Sequence, residues 1–172
     1  GDDYFLQNFF INNLNKKFDI NDSPRYFNLE EDRDIKILLE EISAVSLFSK
    51  KDVFIIRNSS RISKNSKDEI LTYLNDPKDD LITVFVSNDF YSKNNFFHSI
   101  SSKAKTIDTR TPFPNKIKEW LRYYLKINKI DIDYSFLDEV IYSNNDEIAT
   151  IIGEIEKIYL ANNCKKITYE SI

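Results

Sequence analysis

The sequence predicts a parallel α/β domain over residues 1–112, followed by a small domain of three helices over residues 113–172. Three observations carry this. Val53-Phe-Ile-Ile56 and Leu81-Ile-Thr-Val-Phe-Val86 are continuous β-rich apolar runs, as expected of strands in a parallel sheet, and helical periodicities alternate with them. Thr111-Pro-Phe-Pro114 reads as a linker. Each proline disfavours helix in the residue before it, and the second suits the first turn of a new helix. Beyond that point every strong pattern is helical.

Taken in order, Asp2-Asp3 can cap a helix in which Phe5, Leu6, Phe9, Phe10 and Leu14 recur at helical spacing. Tyr26-Phe-Asn-Leu29 is a short strand candidate. Glu30 to Asp34 put acids on the first turn of the next helix, where the helix dipole favours them. Its apolar face is Ile35, Leu38, Leu39, Ile42 and Val45. The buried strand from Val53 follows. Asp68 to Leu74 reads as a helix stopped by Asn75-Asp-Pro77, and the strand from Leu81 comes next. Asn88 to His98 reads as a loop with a short helix, and Lys105 to Thr109 as a last strand. The three later helices present Ile117, Trp120, Leu121, Tyr124 and Leu125; Ile132, Phe136, Leu137, Val140 and Ile141; and Ile148, Ile151, Ile152, Ile155 and Ile158.

A chain of 172 residues can hold one fair-sized core, or a domain of about 100 residues with a smaller one attached. With 41% hydrophobic and 30% charged residues it folds. A net charge of −4 argues against nucleic-acid binding through bulk charge. The run Lys50, Lys51, Arg57, Arg61, Lys64 and Lys67 reads as a solvated face. Cys164 is the only cysteine, so no internal disulfide can form. No apolar run approaches the roughly 20 residues a bilayer needs, and no signal-peptide pattern opens the chain. These features lead to the expectation of a cytoplasmic protein. The absence of methionine, even at the first position, leads to the expectation of a piece of a longer protein.

An α/β domain followed by a helical one raises the possibility of a nucleotide-hydrolysing machine. Its phosphate loop needs glycines, so that backbone N–H groups can surround the phosphates, and a lysine to reach the terminal ones. The chain has two glycines: Gly1, followed by Asp-Asp-Tyr-Phe, and Gly153, inside a predicted helix. A carboxylate for Mg²⁺ is expected at the end of a hydrophobic strand, but Val53-Phe-Ile-Ile56 runs into Arg57 and Asn58. His98, Cys164, Asp79-Asp80, and Asp131 with Asp133 form no recognisable catalytic or metal-ligating set. No catalytic residue, cofactor or metal is expected.

One local feature invites a binding role. Leu47 and Phe48 follow the buried face of the helix ending near Val45 and lie between Ser46 and Ser49. The pattern fits either a core pair at a helix end or a small exposed apolar patch made for a partner.

The order of segments resembles the delta subunit of the bacterial DNA polymerase III clamp loader over nearly the whole chain. The resemblance rests on Gly1-Asp-Asp-Tyr-Phe-Leu-Gln7, on Ser46-Leu-Phe-Ser-Lys-Lys-Asp-Val-Phe-Ile-Ile-Arg-Asn58, on Ile70-Leu-Thr-Tyr-Leu-Asn-Asp-Pro77, and on Glu154-Ile-Glu-Lys-Ile158 leading to Ile167-Thr-Tyr-Glu-Ser-Ile172. It implies an AAA+-like parallel sheet domain with a helical lid, and no ATPase activity. It also implies a subunit of the replicative polymerase holoenzyme that binds the sliding clamp (the beta subunit) and helps open the ring. The family's clamp-contacting pair carries over onto Leu47 and Phe48, with Ser46 and Ser49 beside them. Contact with DNA is expected to be indirect. Two family features are missing from these residues: a first strand ahead of the Gly-Asp-Asp opening, and a C-terminal domain that joins the other clamp-loader subunits. The expectation is a fragment that binds a clamp without assembling normally. The alternative is a nucleotide-binding α/β enzyme domain whose phosphate loop is degenerate or truncated.

Overall fold

The structure, a computed structural model, describes residues 1–18, 20, 22–44, 51–59, 62–88, 95–144 and 147–169. Its contacts divide the chain into two compact units, Gly1–Arg110 and Thr111–Ile172.

In the first unit, strands β1 (Arg25–Asn28), β2 (Asp52–Arg57) and β3 (Leu81–Val86) form a parallel sheet in the order β1-β2-β3. Arg25 lies beside Phe54, and Asp52 beside Leu81. Helix α1 (Tyr4–Phe18) precedes the sheet, α2 (Asp32–Ser43) joins β1 to β2, α3 (Lys64–Tyr73) joins β2 to β3, and α4 (Asn95–Ser101) follows.

Successive side chains of a strand point to opposite faces, and β2 feeds two cores in this way. Val53 and Ile55 pack with Ile11 of α1, while Phe54 and Ile56 pack with Leu38 and Ile42 of α2, Ile70 of α3, and Phe96 and Ile100 of α4. The middle strand is therefore buried on both faces, as its apolar run predicts. β3 is one of the sheet's two edges among the described residues, and all six of its side chains are half-buried.

Local chemistry starts the helices. Asp3 caps α1, its Oδ1 accepting the Leu6 N–H at 3.0 Å. Ser63 caps α3, its Oγ accepting the Ser66 N–H at 3.1 Å. That cap starts α3 at Lys64, four residues before the Asp68 start predicted from the apolar pattern.

One predicted strand is absent. Lys105 to Thr109 pair with no strand: Lys105 to Asp108 are exposed, and the Thr109 carbonyl accepts the Asp3 N–H at 3.1 Å. β-rich composition reports fitness for a pleated, half-buried surface, and among the described residues this run has no such neighbour. Beside it, Gly1 lies so close to the Thr109 backbone that a Cβ would come within 2.1 Å, so only glycine fits there.

The second unit consists of α5 (Pro114–Asn128), α6 (Tyr134–Ser143) and α7 (Ile148–Ala161). Its core takes Ile117, Leu121 and Leu125 from α5, Phe136, Leu137 and Val140 from α6, and Ile148, Ile151, Ile152 and Ile155 from α7. Ile132, predicted as part of a helix, instead forms a parallel bridge with Ile167, and Asp133 takes the N-cap position of α6. Trp120, predicted as core, is half-buried and stacks on Tyr124 with ring centroids 6.0 Å apart. Burial, and then the neighbouring Glu156 carboxylate, hold the Tyr124 phenol well above its usual range.

Helix α5 ends in a Schellman arrangement. Lys129 adopts φ 57°, ψ 34°, and the Ile130 N–H reaches back to the Leu125 carbonyl at 3.0 Å. Lys129 thus pays the steric penalty of a left-handed residue that glycine avoids. Lys129→Gly is expected to stabilise the protein by about 0.5–1 kcal/mol, seen as a raised melting temperature. A lowered one would mean that the lysine side chain matters more than its backbone strain.

Candidate protein-docking site between the second helix and the central strand

The candidate docking residues Ser46, Leu47, Phe48 and Ser49 lie outside the described residues, as does Val45. The chain on either side is described. Helix α2 ends at Ser43, and Ala44 is extended at φ −66°, ψ 144°, its N–H donating to the Glu40 carbonyl. The chain returns at Lys51, whose ammonium lies 5.7 Å from the centre of the Phe18 ring, and enters β2 at Asp52.

Both ends are fixed by the turn between α3 and β3. The Lys78 ammonium donates to the Glu41 carbonyl at 2.9 Å and to the Ala44 carbonyl. Two residues later, the Asp80 carbonyl accepts the Asp52 N–H at 2.9 Å. A second tie comes from β1: Arg25 Nη2 donates to Glu41 Oε1 at 2.8 Å, and the guanidinium lies over the Phe54 ring at 5.0 Å.

The Arg25 hydrogen bond holds the Glu41 carboxyl below the usual carboxylate range, and Glu41 raises Arg25 in turn. A depressed carboxylate contributes stability above its unfolded pKa and loses it as pH falls through the folded value. The pair is therefore intact at neutral pH. With side chains 45% and 39% exposed it contributes little, and salt screens it.

The opposite end of β2 carries different chemistry. In open α/β sheets ligands bind in the crevice beyond the carboxyl ends of the strands. Here that crevice is a cavity of about 320 Å³ lined by Tyr4, Arg57, Asn58, Ser59, Val86, Ser87, Asn88 and Phe97. Arg57 Nη1 donates to Gln7 Oε1 at 2.9 Å, and Gln7 Nε2 donates to Asn88 Oδ1 at 3.0 Å and to the Gly1 carbonyl at 2.7 Å. Asn58, at φ 58°, donates its side-chain amide to Asn28 Oδ1 at 2.9 Å. These residues form a neutral amide network around one guanidinium, and among the described residues no carboxylate lines the cavity.

The remaining candidates are dispersed. His98 and Cys164 are exposed. Asp133 is paired with Lys166 at 2.7 Å. Among the described residues no three His, Cys, Asp or Glu side chains gather as a metal site, and no helix is long and apolar enough to cross a membrane. Of the basic run, Lys50 and Arg61 lie outside the described residues. Lys51 precedes β2 and Arg57 is its last residue, so the two stand about 20 Å apart at some 3.3 Å per residue. Lys67 covers the Phe96 ring at 5.8 Å.

Sequence reasoning missed Lys78, Arg25 and Gln7. Lys78 follows a helix-stopping Asn-Asp-Pro and looks like an ordinary turn lysine, because the carbonyls it caps are 34 and 37 residues away. Gln7 offered a weak signal as a polar residue among the apolar positions of α1.

No protein-family model matches the sequence, and no curated protein matches it either. Among solved structures, the fold is similar to that of Bacillus subtilis DNA clamp loader delta protein (YqeN). The TM-score is 0.65 at 13% identity, covering 86% of this chain and 46% of that one. The chain thus spans less than half the length of that protein. At this identity the likeness is one of fold: the chain has a mixed α/β, clamp-loader delta-like architecture built on a three-stranded parallel sheet.

Proposed function

We propose that this chain is part of a clamp-loader subunit of the delta type. In this reading it binds the DNA polymerase sliding clamp through Leu47 and Phe48, flanked by Ser46 and Ser49, and helps open the ring during DNA replication. The observation that carries the reading is that the Leu47-Phe48 pair lies in the α2–β2 connection of a clamp-loader delta-like fold. That connection is at the opposite end of β2 from the crevice where α/β sheets bind nucleotides, so docking and nucleotide chemistry are separate on the sheet. Other clamp-loader subunits would be engaged through a further domain, and DNA indirectly. The domains would divide at residues 112–113.

The alternative reading is a nucleotide-binding α/β enzyme domain. Among the described residues its crevice would have to hold Mg²⁺ and phosphates with Arg57, Asn58 and Asn88, which supply one cation and no carboxylate. One pair of measurements separates the readings. In a calorimetric titration the parent chain is expected to bind the sliding clamp of its own organism. Millimolar Mg-ATP is expected to leave its melting temperature unchanged, whereas a ligand at 100 times its Kd adds about 2.7 kcal/mol of stability. A rise of several degrees with Mg-ATP, or no heat with the clamp, overturns the proposal.

A further inference from the structure

We propose that Lys78 is a positioning residue for the docking segment: its ammonium completes the carboxyl end of α2 and so sets the direction in which the chain leaves that helix. This rests on the reading that the segment after Ala44 docks on a clamp.

The reason lies in how α2 ends. The last carbonyls of a helix have no partner within it, and the helix dipole makes that end negative. Helices usually resolve this with a left-handed glycine or asparagine, or with a basic side chain in the last turn. α2 has neither: Ala44 is extended, and the last turn carries no basic residue. That turn instead contains Glu40 and Glu41, whose charges oppose the dipole. The missing cation is supplied by Lys78, which bonds the Glu41 carbonyl of the last turn and the Ala44 carbonyl just beyond it.

The position of Lys78 in the chain gives this contact a consequence beyond stability. The Leu81 N–H donates to the Lys78 carbonyl at 3.3 Å, closing a turn in which the next residue but one, Asp80, accepts the Asp52 N–H. One three-residue stretch, Lys78 to Asp80, thus holds the last described residue before the docking segment and the first residue of the strand after it. Order already present at these two anchors does not have to be imposed on docking.

The test uses the full chain and the sliding clamp, with three variants titrated well below their melting temperatures. Lys78→Met is expected to weaken clamp binding about five- to tenfold. It should melt within a few degrees of the parent and speed hydrogen exchange at the Ala44 amide. Lys78→Arg, which keeps a charged donor, should recover most of the affinity. Leu47→Ala/Phe48→Ala should lose binding with Ala44 exchange unchanged. A helix cap that served stability alone would leave the affinity of the folded protein untouched, so a Lys78→Met variant that binds like the parent overturns the inference. Weakened binding with Ala44 exchange unchanged overturns it too, since Lys78 would then act elsewhere. A Leu47/Phe48 variant that binds like the parent sinks the docking assignment itself, and any docking role for Lys78 with it. Should Lys78→Met not fold, Lys78→Gln is judged by the same outcomes.

Discussion

Replacing Leu47 and Phe48 together with alanine is expected to weaken binding to the sliding clamp by about a hundredfold or more. Each side chain buried at an interface contributes roughly 1.5–3 kcal/mol, and about 1.4 kcal/mol is tenfold in affinity. Even after discounting for imperfect burial, two such anchors reach two decades, as expected of apolar residues at the centre of an interface. The same substitutions should barely move the melting temperature, because docking residues must be accessible in the free protein. If the pair belonged to the core, the result would reverse: loss of a buried Leu or Phe costs about 2–5 kcal/mol of folding stability each. The variant's melting temperature and clamp affinity therefore decide together. A variant that melts far below the parent, or that binds the clamp equally well, removes the docking assignment.

The sequence was informative where a pattern could be satisfied locally. Val53 to Ile56 and Leu81 to Val86 announce strands because a β-rich, largely apolar run of that length has few other uses in an α/β chain. The periodicities after Pro114 recover the cores of α5 and α7 almost residue for residue, since a helical face repeats through several turns. The errors share a physical cause, which is that a neighbour decides the outcome. Lys105 to Thr109 have the composition of a strand but, among the described residues, no ladder to join. Ile132 fits a helical spacing, yet Ile167 draws it into a bridge. Lys78 was illegible for the same reason, since nothing around it shows that a helix 34 residues earlier ends without a cap. Leu47 and Phe48 are the converse case. Their residue types suit docking or packing equally well, and the resemblance to a clamp-loader subunit singles them out where the pattern does not.

The largest expected loss of stability is at Phe54, and it tests the architecture on which the docking assignment depends. Phe54 sits in the middle of the central strand and is 2% exposed. Its ring lies 4.9 Å from that of Phe27 and beneath the Arg25 guanidinium, and it packs in the core that α2, α3 and α4 share. Phe54→Ala removes most of that volume from a site flanked by strands on both sides, where collapse is hard, so the cost should be about 3–5 kcal/mol. For a protein of this size each kcal/mol lowers the melting temperature by roughly 2–4 °C, so a fall on the order of 10 °C is expected. Phe54→Leu, which keeps most of the apolar volume, should lose much less. The two compact units need not melt together, so the transition should be followed by a probe in the first, such as exchange of the Ile55 and Ile56 amides. Clamp binding should survive in Phe54→Ala at temperatures where the sheet remains folded, because the substitution removes no docking residue. If Phe54→Ala melts within a degree or two of the parent, β2 is not the buried centre of the sheet. The α2–β2 connection would then lose the rigid base from which Leu47 and Phe48 are proposed to reach the clamp.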